Sequence, residues 1–519
     1  MHHLAAPGDG DRAERSFATA VFRPVAWAGM LLALPLLALA VYQCRDLAND
    51  DAFITYRYAR NLIAGLGFVF NPGEKVLGTS TPLYTLLLAP WARLDGLLPF
   101  VSNTIGCLSV GLQAWLVARI LAKLGAGPHF AVAAGLFLLG GGIGSYWHVG
   151  METNLLVALM AGSIERLLQG RTTQAAVLVG VAVLCRNDAL VLAGLLAAEL
   201  VVHQKKTWRD LLIPALSFAA ILAPWALFAC FYFGSPFPNS LAAKMHSLTV
   251  GRYLLGGGLQ MARSTLAFSQ QQSPTSLALS AAETPAEFFW GLVLIGLLGV
   301  AIVTSWRRKD AVAIPFLLPV LLLGAYAFIG PPIEHTWHLY PAAAMLFLAV
   351  AVGMFRLLAH VVRGKRPNRW LAWTGVFAVA AGSLAYLSTF ASASEDDMYF
   401  GRRARALGEM GRVIAERVPV NQAISALEIG IVGYHCRNPI VDRAGIVTPG
   451  LSYHSSSLGH SMRQAWLLHP TDYLVVIPLE YRMVAGAVDV LKVVDGYGYK
   501  PLALVRRSHP VPAEATQAR

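Results

Sequence analysis

Two adjacent carboxylates, Asp50 and Asp51, stand where a long apolar segment gives way to a polar one. A carboxylate in such a place can take a proton from a hydroxyl, bind a divalent cation or cap a helix. The following residues carry Arg57, Tyr58 and Arg60 among apolar neighbours. On a helix, Asp50 and Arg57 return to one face, while Asp51, Thr55 and Tyr58 share the neighbouring one. Ordinary capping would explain part of this pattern, with Asn49 as N-cap, acids in the first turn and arginines further along. A helix needs only one cap, however, and acids beside a bilayer are costly. The pair is therefore read as catalytic, with its proton affinity set by burial and by arginine. Arg57 would hold a phosphate through paired N–H donors, and Tyr58 would line the same site.

Other polar groups fall at the ends of apolar segments. HVGMETN (148–154) places His148 and Glu152 one helical turn apart. CRND (185–188) sets Arg186 and Asp188 between two short apolar pieces. This is either an ion pair within the membrane or a broken-helix site for a lipid phosphate. FPNSLAAKM (237–245) offers Asn239 and Lys244 after a span, and EHTWHLYP (334–341) offers Glu334, His335 and His338. Lys244 reads either as a phosphate partner or as a snorkelling lysine. The His-x-x-His spacing beside Glu334 is weak as a metal motif, so His335 and His338 are read as sugar-binding side chains. Glu428, Asp442 and Arg443 fit ordinary strand and turn structure. No Walker motif, nucleophile elbow or dinucleotide fingerprint occurs, which leaves nucleotide hydrolysis unsupported.

The elements that must position these groups are membrane helices. Of the 519 residues, 56% are hydrophobic and 13% charged, against about 25% charged in a soluble protein. Apolar runs are expected to cross near 21–43, 100–122, 129–147, 151–168, 172–185, 189–203, 211–233, 286–305, 311–329, 338–360 and 370–390. This makes a polytopic α-helical membrane protein with about 11 transmembrane helices. Residues 80–98, broken by Pro82, Pro90, Arg93 and Asp95, are expected to lie at the interface rather than cross. With that assignment the basic loops 203–210, 305–310 and 361–369 all fall on one side, together with the N-terminus, which is read as cytoplasmic. These loops account for much of the net charge of +12, so nucleic acid is not expected as a partner. The five cysteines are scattered without a CxxC pair and suggest neither a disulfide framework nor zinc. The opening residues lack a signal-peptide core, and the first span is read as a mature helix.

The division expected is 1–391 as the transmembrane catalytic domain and 392–519 as an extracytoplasmic α/β domain of roughly 125 residues. In the latter, 401–418 has helical periodicity, and QAISAL, NPIVD and DYLVVIPL read as strands.

The stretch DDAFITYRYARNLIAGLGFVFNPGEKV resembles the start of the mycobacterial terminal β-(1→2)-arabinofuranosyltransferase family, within the GT-C superfamily of polyprenyl-phosphate-sugar-dependent transferases. The resemblance extends more weakly through GMET (150–153), CRND, PFPNSLAAK (236–244) and VDRAGIVTPG. Asn187 is a departure, standing where relatives often carry proline. The resemblance implies inverting transfer of a sugar, arabinofuranose as first choice, to a hydroxyl of a cell-envelope glycan, glycolipid or protein. The resemblance also implies that the transfer takes place on the outer face of a bacterial inner membrane. It implies Asp50 or Asp51 as general base, without separating the two. A departing polyprenyl phosphate wants cationic stabilisation, for which Arg186, Lys244 and Arg57 are candidates. A divalent ion, Mg or Mn, held by Asp50 and Asp51 is the open alternative to a base. A hexose or aminosugar transferase acting on lipid A or O-antigen is a second reading within the class. A transporter or flippase for lipid-linked sugars is the reading from outside it. A transporter predicts internal repeats and charges at mid-bilayer, whereas the ionisable residues here gather at one face.

Overall fold

The computed structural model describes residues 9–44, 49–94, 96–144, 149–241, 285–329, 338, 340–361, 369–392, 399–451, 465, 467–484, 488–497 and 500–508. Helices form wherever long apolar runs were expected to span. In chain order they are α1 (Asp9–Cys44), α2 (Asp50–Ile63), α3 (Pro82–Leu88), α4 (Leu97–Lys123), α5 (Pro128–Gly144), α6 (Thr153–Leu168) and α7 (Thr172–Cys185). There follow α8 (Ala189–Ala198), α9 (Trp208–Phe233), α10 (Pro285–Arg308), α11 (Leu318–Ile329), α12 (Tyr340–Val361) and α13 (Arg369–Ser392).

Among the described residues, Leu97–Lys123, Trp208–Phe233 and Tyr340–His360 are each long and apolar enough to cross a bilayer unaided. Shorter apolar helices accompany them at Trp27–Tyr42, Pro128–Gly140, Thr172–Cys185, Ala189–His203 and Ala372–Ser383. α9 buries little of its surface, and Phe231 stands 88% exposed and Ile213 64% exposed. Such an apolar face calls for a lipid or protein neighbour. The segment 311–329 departs from a single span. It opens as a turn, tightens to a 3-10 piece at Pro315–Leu317 and becomes α-helical only from Leu318, because Pro315 cannot donate within a regular helix. The segment 80–98, expected to lie at the interface, holds the short α3 followed by a 3-10 turn, Ala89–Arg93.

The C-terminal domain contains α14 (Tyr399–Arg417), β1 (Ile424–Ala426), α15 (Gly430–His435), β2 (Ile440–Asp442), β3 (Tyr473–Val476), α16 (Pro478–Val484), β4 (Val488–Tyr497) and β5 (Lys500–Arg507). The strand order is β2-β1-β3-β5-β4. β1 pairs in parallel with β2 and β3, and β5 runs antiparallel between β3 and β4. The edge strand β2 is not left open. Asn71, from the segment after α2, donates to the Ile440 carbonyl and accepts the Ile440 amide, each at 2.9 Å. One side chain thus satisfies the pairing groups that an edge residue exposes.

The two parts share a core. Ala52, Phe53, Ile54, Tyr56 and Tyr58 of α2, with Phe68 and Phe70, pack in one buried cluster with Leu407, Met410 and Ile414 of α14 and Ile431 and Val432 of α15. The segment from α2 to Phe70 and the C-terminal domain therefore bury their apolar surfaces against each other.

Candidate active site

Asp50 and Asp51 form the first turn of α2, as the spacing predicts. Asn49 occupies the N-cap position but makes no side-chain cap. Its backbone amide instead donates to the Val149 carbonyl at 3.3 Å. That bond joins the start of α2 to the loop carrying Glu152. Tyr56 Oη and Ser102 Oγ both donate to the Gly150 carbonyl, at 3.1 and 2.5 Å, and Tyr84 Oη lies 2.7 Å from Ser102 Oγ. α2, α3, α4 and the loop before α6 thus converge on one end of the bundle.

The two acids are held differently. Asp50 Oδ2 accepts the Gly430 amide at 3.0 Å and Asp50 Oδ1 the Ile431 amide at 2.7 Å. Its carboxyl is pushed up to about 6, chiefly by burial and further by Asp51, while the two amides pull it back. Asp51 is half-buried, and among the described residues no hydrogen bond or ion pair holds its carboxylate. One turn along the same face, Thr55 Oγ1 lies 3.2 Å from Thr81 Oγ1, itself 2.9 Å from Thr79 Oγ1. Spacing places Thr55 on the Asp51 face, whereas the Thr79 and Thr81 hydroxyls were not singled out from the sequence. The signal was the polar run GTSTP (78–82) opposite a helix face already carrying Asp51.

Arg57 faces the C-terminal domain and is 1% exposed. Its Nε donates to the Phe70 carbonyl at 2.8 Å, Nη1 to Gly433 at 2.6 Å, and Nη2 to Asn438 at 2.9 Å. The guanidinium expected to hold a phosphate here spends these donors on three backbone carbonyls. Burial also draws its pKa down to about 10. Tyr58 is fully buried, its hydroxyl donating to the Val76 carbonyl at 2.6 Å and accepting the Gly78 amide at 2.8 Å. Asn239 is likewise a fastener. Its side chain donates to the Gly445 and Ile446 carbonyls at 2.7 and 3.1 Å, and its amide to Leu77 at 2.7 Å. Tyr58 and Asn239 shape the wall of the site through backbone groups.

Glu152 and Arg186 are both buried at the start of α6 and the α7–α8 turn. Arg186 Nη1 lies 3.4 Å from Glu152 Oε1 and 3.2 Å from Thr153 Oγ1, and Nε donates to Asp188 Oδ2 at 2.9 Å. The three residues form one buried ion cluster. His338 stands half-buried just before α12, where Tyr340 Oη reaches Gln113 Oε1 at 3.1 Å and Gln113 Nε2 reaches the Asn154 carbonyl at 2.7 Å. His148, Lys244 and His335 lie outside the described residues. No group of three or more His, Cys, Asp or Glu gathers to hold a metal ion among the described residues.

At the opposite helix ends, Arg119 pairs with Glu165, His203 with Glu199, and Arg356 with Asp310. Those charges lie at the far ends of the helices from Asp50, Asp51 and the Glu152–Arg186–Asp188 cluster.

Three comparisons bear on this arrangement. Residues 396–505 match a family described as Domain of unknown function (DUF8728). The terminal β-(1→2)-arabinofuranosyltransferase of Mycobacterium tuberculosis is 26% identical over 247 residues, which is 42% of this chain and 38% of that protein. The matched segment thus spans well under half the length of that relative. Crystal structures of ArnT from Cupriavidus metallidurans superpose over 92% of this chain and 97% of theirs at 15% identity. The TM-score is 0.59 for the apo state and 0.58 for the state bound to undecaprenyl phosphate. The protein has the fold of the ArnT structures, a helical body with apolar helices long enough to cross a membrane and a C-terminal sheet domain.

Proposed function

We propose that this chain is an inverting membrane glycosyltransferase that takes a sugar from a polyprenyl-phosphate donor and passes it to an acceptor hydroxyl. The observation that carries the proposal is the contrast within the acidic pair. Asp50 is tied to the C-terminal domain, while the Asp51 carboxylate is unpartnered among the described residues and lies one helical turn before Thr55, whose hydroxyl leads to those of Thr81 and Thr79. Asp51 is assigned as the general base that takes the acceptor proton as the hydroxyl attacks the anomeric carbon. The C–O bond to the donor phosphate then breaks, with the electron pair leaving on phosphate. Arg186 and Lys244 are assigned to steady that charge. The likeness to the undecaprenyl-phosphate-bound ArnT structure supports the lipid half of the donor. The mycobacterial relative supports arabinofuranose as the sugar. Acceptors of the class are cell-envelope glycans, glycolipids or proteins. The reading places about 11 spans in a bacterial inner membrane, the N-terminus in the cytoplasm and the C-terminal domain outside.

The test is transfer of radiolabel from polyprenyl-phosphate arabinose in purified membranes, with Asp51→Asn alongside wild type and an EDTA arm. Transfer by wild type and its loss in Asp51→Asn is the expected result, and loss on EDTA would add a divalent ion at the acids. Transfer only from a different prenyl-linked sugar would remove arabinofuranose and keep the reaction class. Label that changes leaflet without being transferred would replace the enzyme with a flippase.

A further inference from the structure

The helix α15 is gripped at both ends by α2. At its start, the Gly430 and Ile431 amides donate to Asp50 at 3.0 and 2.7 Å. At its end, Arg57 Nη1 donates to the Gly433 carbonyl at 2.6 Å and Arg60 Nη1 to the Tyr434 carbonyl at 2.5 Å. The acid meets exposed amides and the cations meet exposed carbonyls, so every contact runs with the helix dipole. Between them the Phe53 ring packs edge-on against Tyr434, centroids 5.2 Å apart. The approach leaves no room for a side chain. A Cβ on Gly430 would stand 1.8 Å from the Asp50 backbone oxygen, and one on Gly433 would stand 2.6 Å from Arg57 Nη1. Asp51 is the next residue in the same turn. Its carboxylate has no hydrogen bond or ion pair among the described residues, so the backbone that Asp50 and Gly430 hold sets where it stands.

We propose that Asp50 is a positioning residue that ties α15 of the C-terminal domain to the first turn of α2, so that this domain sets where Asp51 stands. The proposal rests on the glycosyl-transfer reading above and gives the C-terminal domain a part in the chemistry besides any contact with the acceptor. A displacement of about 1 Å at a reacting group can lower turnover about 10²-fold, and the grip is what prevents it.

The experiment compares Asp50→Ala, Asp50→Asn, Gly430→Ala and Asp51→Asn in the purified full-length protein. Turnover with polyprenyl-phosphate arabinose is expressed per molecule that binds undecaprenyl phosphate, so a misfolded fraction does not count. Hydrogen exchange is followed at 430–435. Asp50→Ala and Gly430→Ala should both speed exchange there and lower turnover about 10²-fold, with KM for the donor within about 2-fold. Gly430→Ala alters no ionisable group, so a matching loss can only come through position. Asp50→Asn, which keeps one acceptor oxygen, should recover part of both signals. Asp51→Asn should lose turnover with exchange unchanged. Loss of turnover in Asp50→Asn equal to that in Asp51→Asn, without faster exchange, would make Asp50 a reacting group and overturn the proposal. Faster exchange in Asp50→Ala with full turnover would overturn it as well. Failure of the underlying reading looks different, with wild type passing no sugar from any prenyl-linked donor while the exchange contrast among variants persists.

Discussion

Arg57 Nη1 donates to the Gly433 carbonyl at 2.6 Å across 376 residues of chain, with the guanidinium carbon 4.3 Å from the centre of the Phe70 ring. The same side chain serves Phe70 and Asn438, so one cation closes three carbonyls at the junction of the two domains. Arg57→Lys removes the planar fork that makes this geometry possible. It should destabilise the domain junction by about 3 kcal/mol, since buried carbonyls lose their donors. Faster cleavage between the domains in limited proteolysis, with a lowered Tm, is the expected readout. Unchanged proteolysis would remove Arg57 from the junction.

Asp51→Asn should lower turnover by about 10²- to 10⁴-fold, the usual contribution of a positioned base. Thermal unfolding should move little, within about 0.5 kcal/mol, because the carboxylate has no partner to lose among the described residues. A large fall in Tm would show that Asp51 is structural instead.

Arg186→Gln leaves Glu152 and Asp188 facing each other in a buried site. Breaking a buried pair from one side costs about 3–5 kcal/mol. The double variant Arg186→Gln with Glu152→Gln should recover part of that loss, since it removes the uncompensated charge. Donor KM separates the two roles of Arg186. If it steadies the donor phosphate, KM for the polyprenyl donor should stay raised in the double variant even where Tm recovers.

Asp442 offers a pH signature in the C-terminal domain. Burial pushes its carboxyl up to about 6, against the amides of Val447, Ala444 and Ile446, which pull it down. The folded domain thus keeps a proton that the unfolded chain releases near pH 4. This group's stabilisation is complete below about pH 4 and is lost as pH rises through about 6, amounting to about 3 kcal/mol. Tm of the purified protein should therefore decline between pH 4 and 7, and Asp442→Asn should flatten the decline. Asp50, also pushed up to about 6, supplies a residual slope. A wild-type Tm that rises across this range would contradict the assignment.

Local pattern made much of this protein legible. Apolar runs became helices, because a chain in lipid must satisfy its backbone within each segment. QAISAL, NPIVD and DYLVVIPL became β1, β2 and β3, since each is a β-rich run bounded by turn residues. The hairpin β4–β5 was not picked out, because VDVLKVVDGY carries exposed valines, Val490 and Val493, that blur its inward–outward alternation. The acidic pair announced itself by charge beside an apolar span. What spacing could not supply was the division of labour inside that pair. The partners of Asp50 lie 380 and 381 residues away, and the Asn438 carbonyl that holds Arg57 lies 381 away. A helix face tells which side chains point together, but not what the rest of the chain brings against them. Docking of α15 occupied Asp50 and Arg57 and left Asp51 open, because burial there requires every polar group to find a partner.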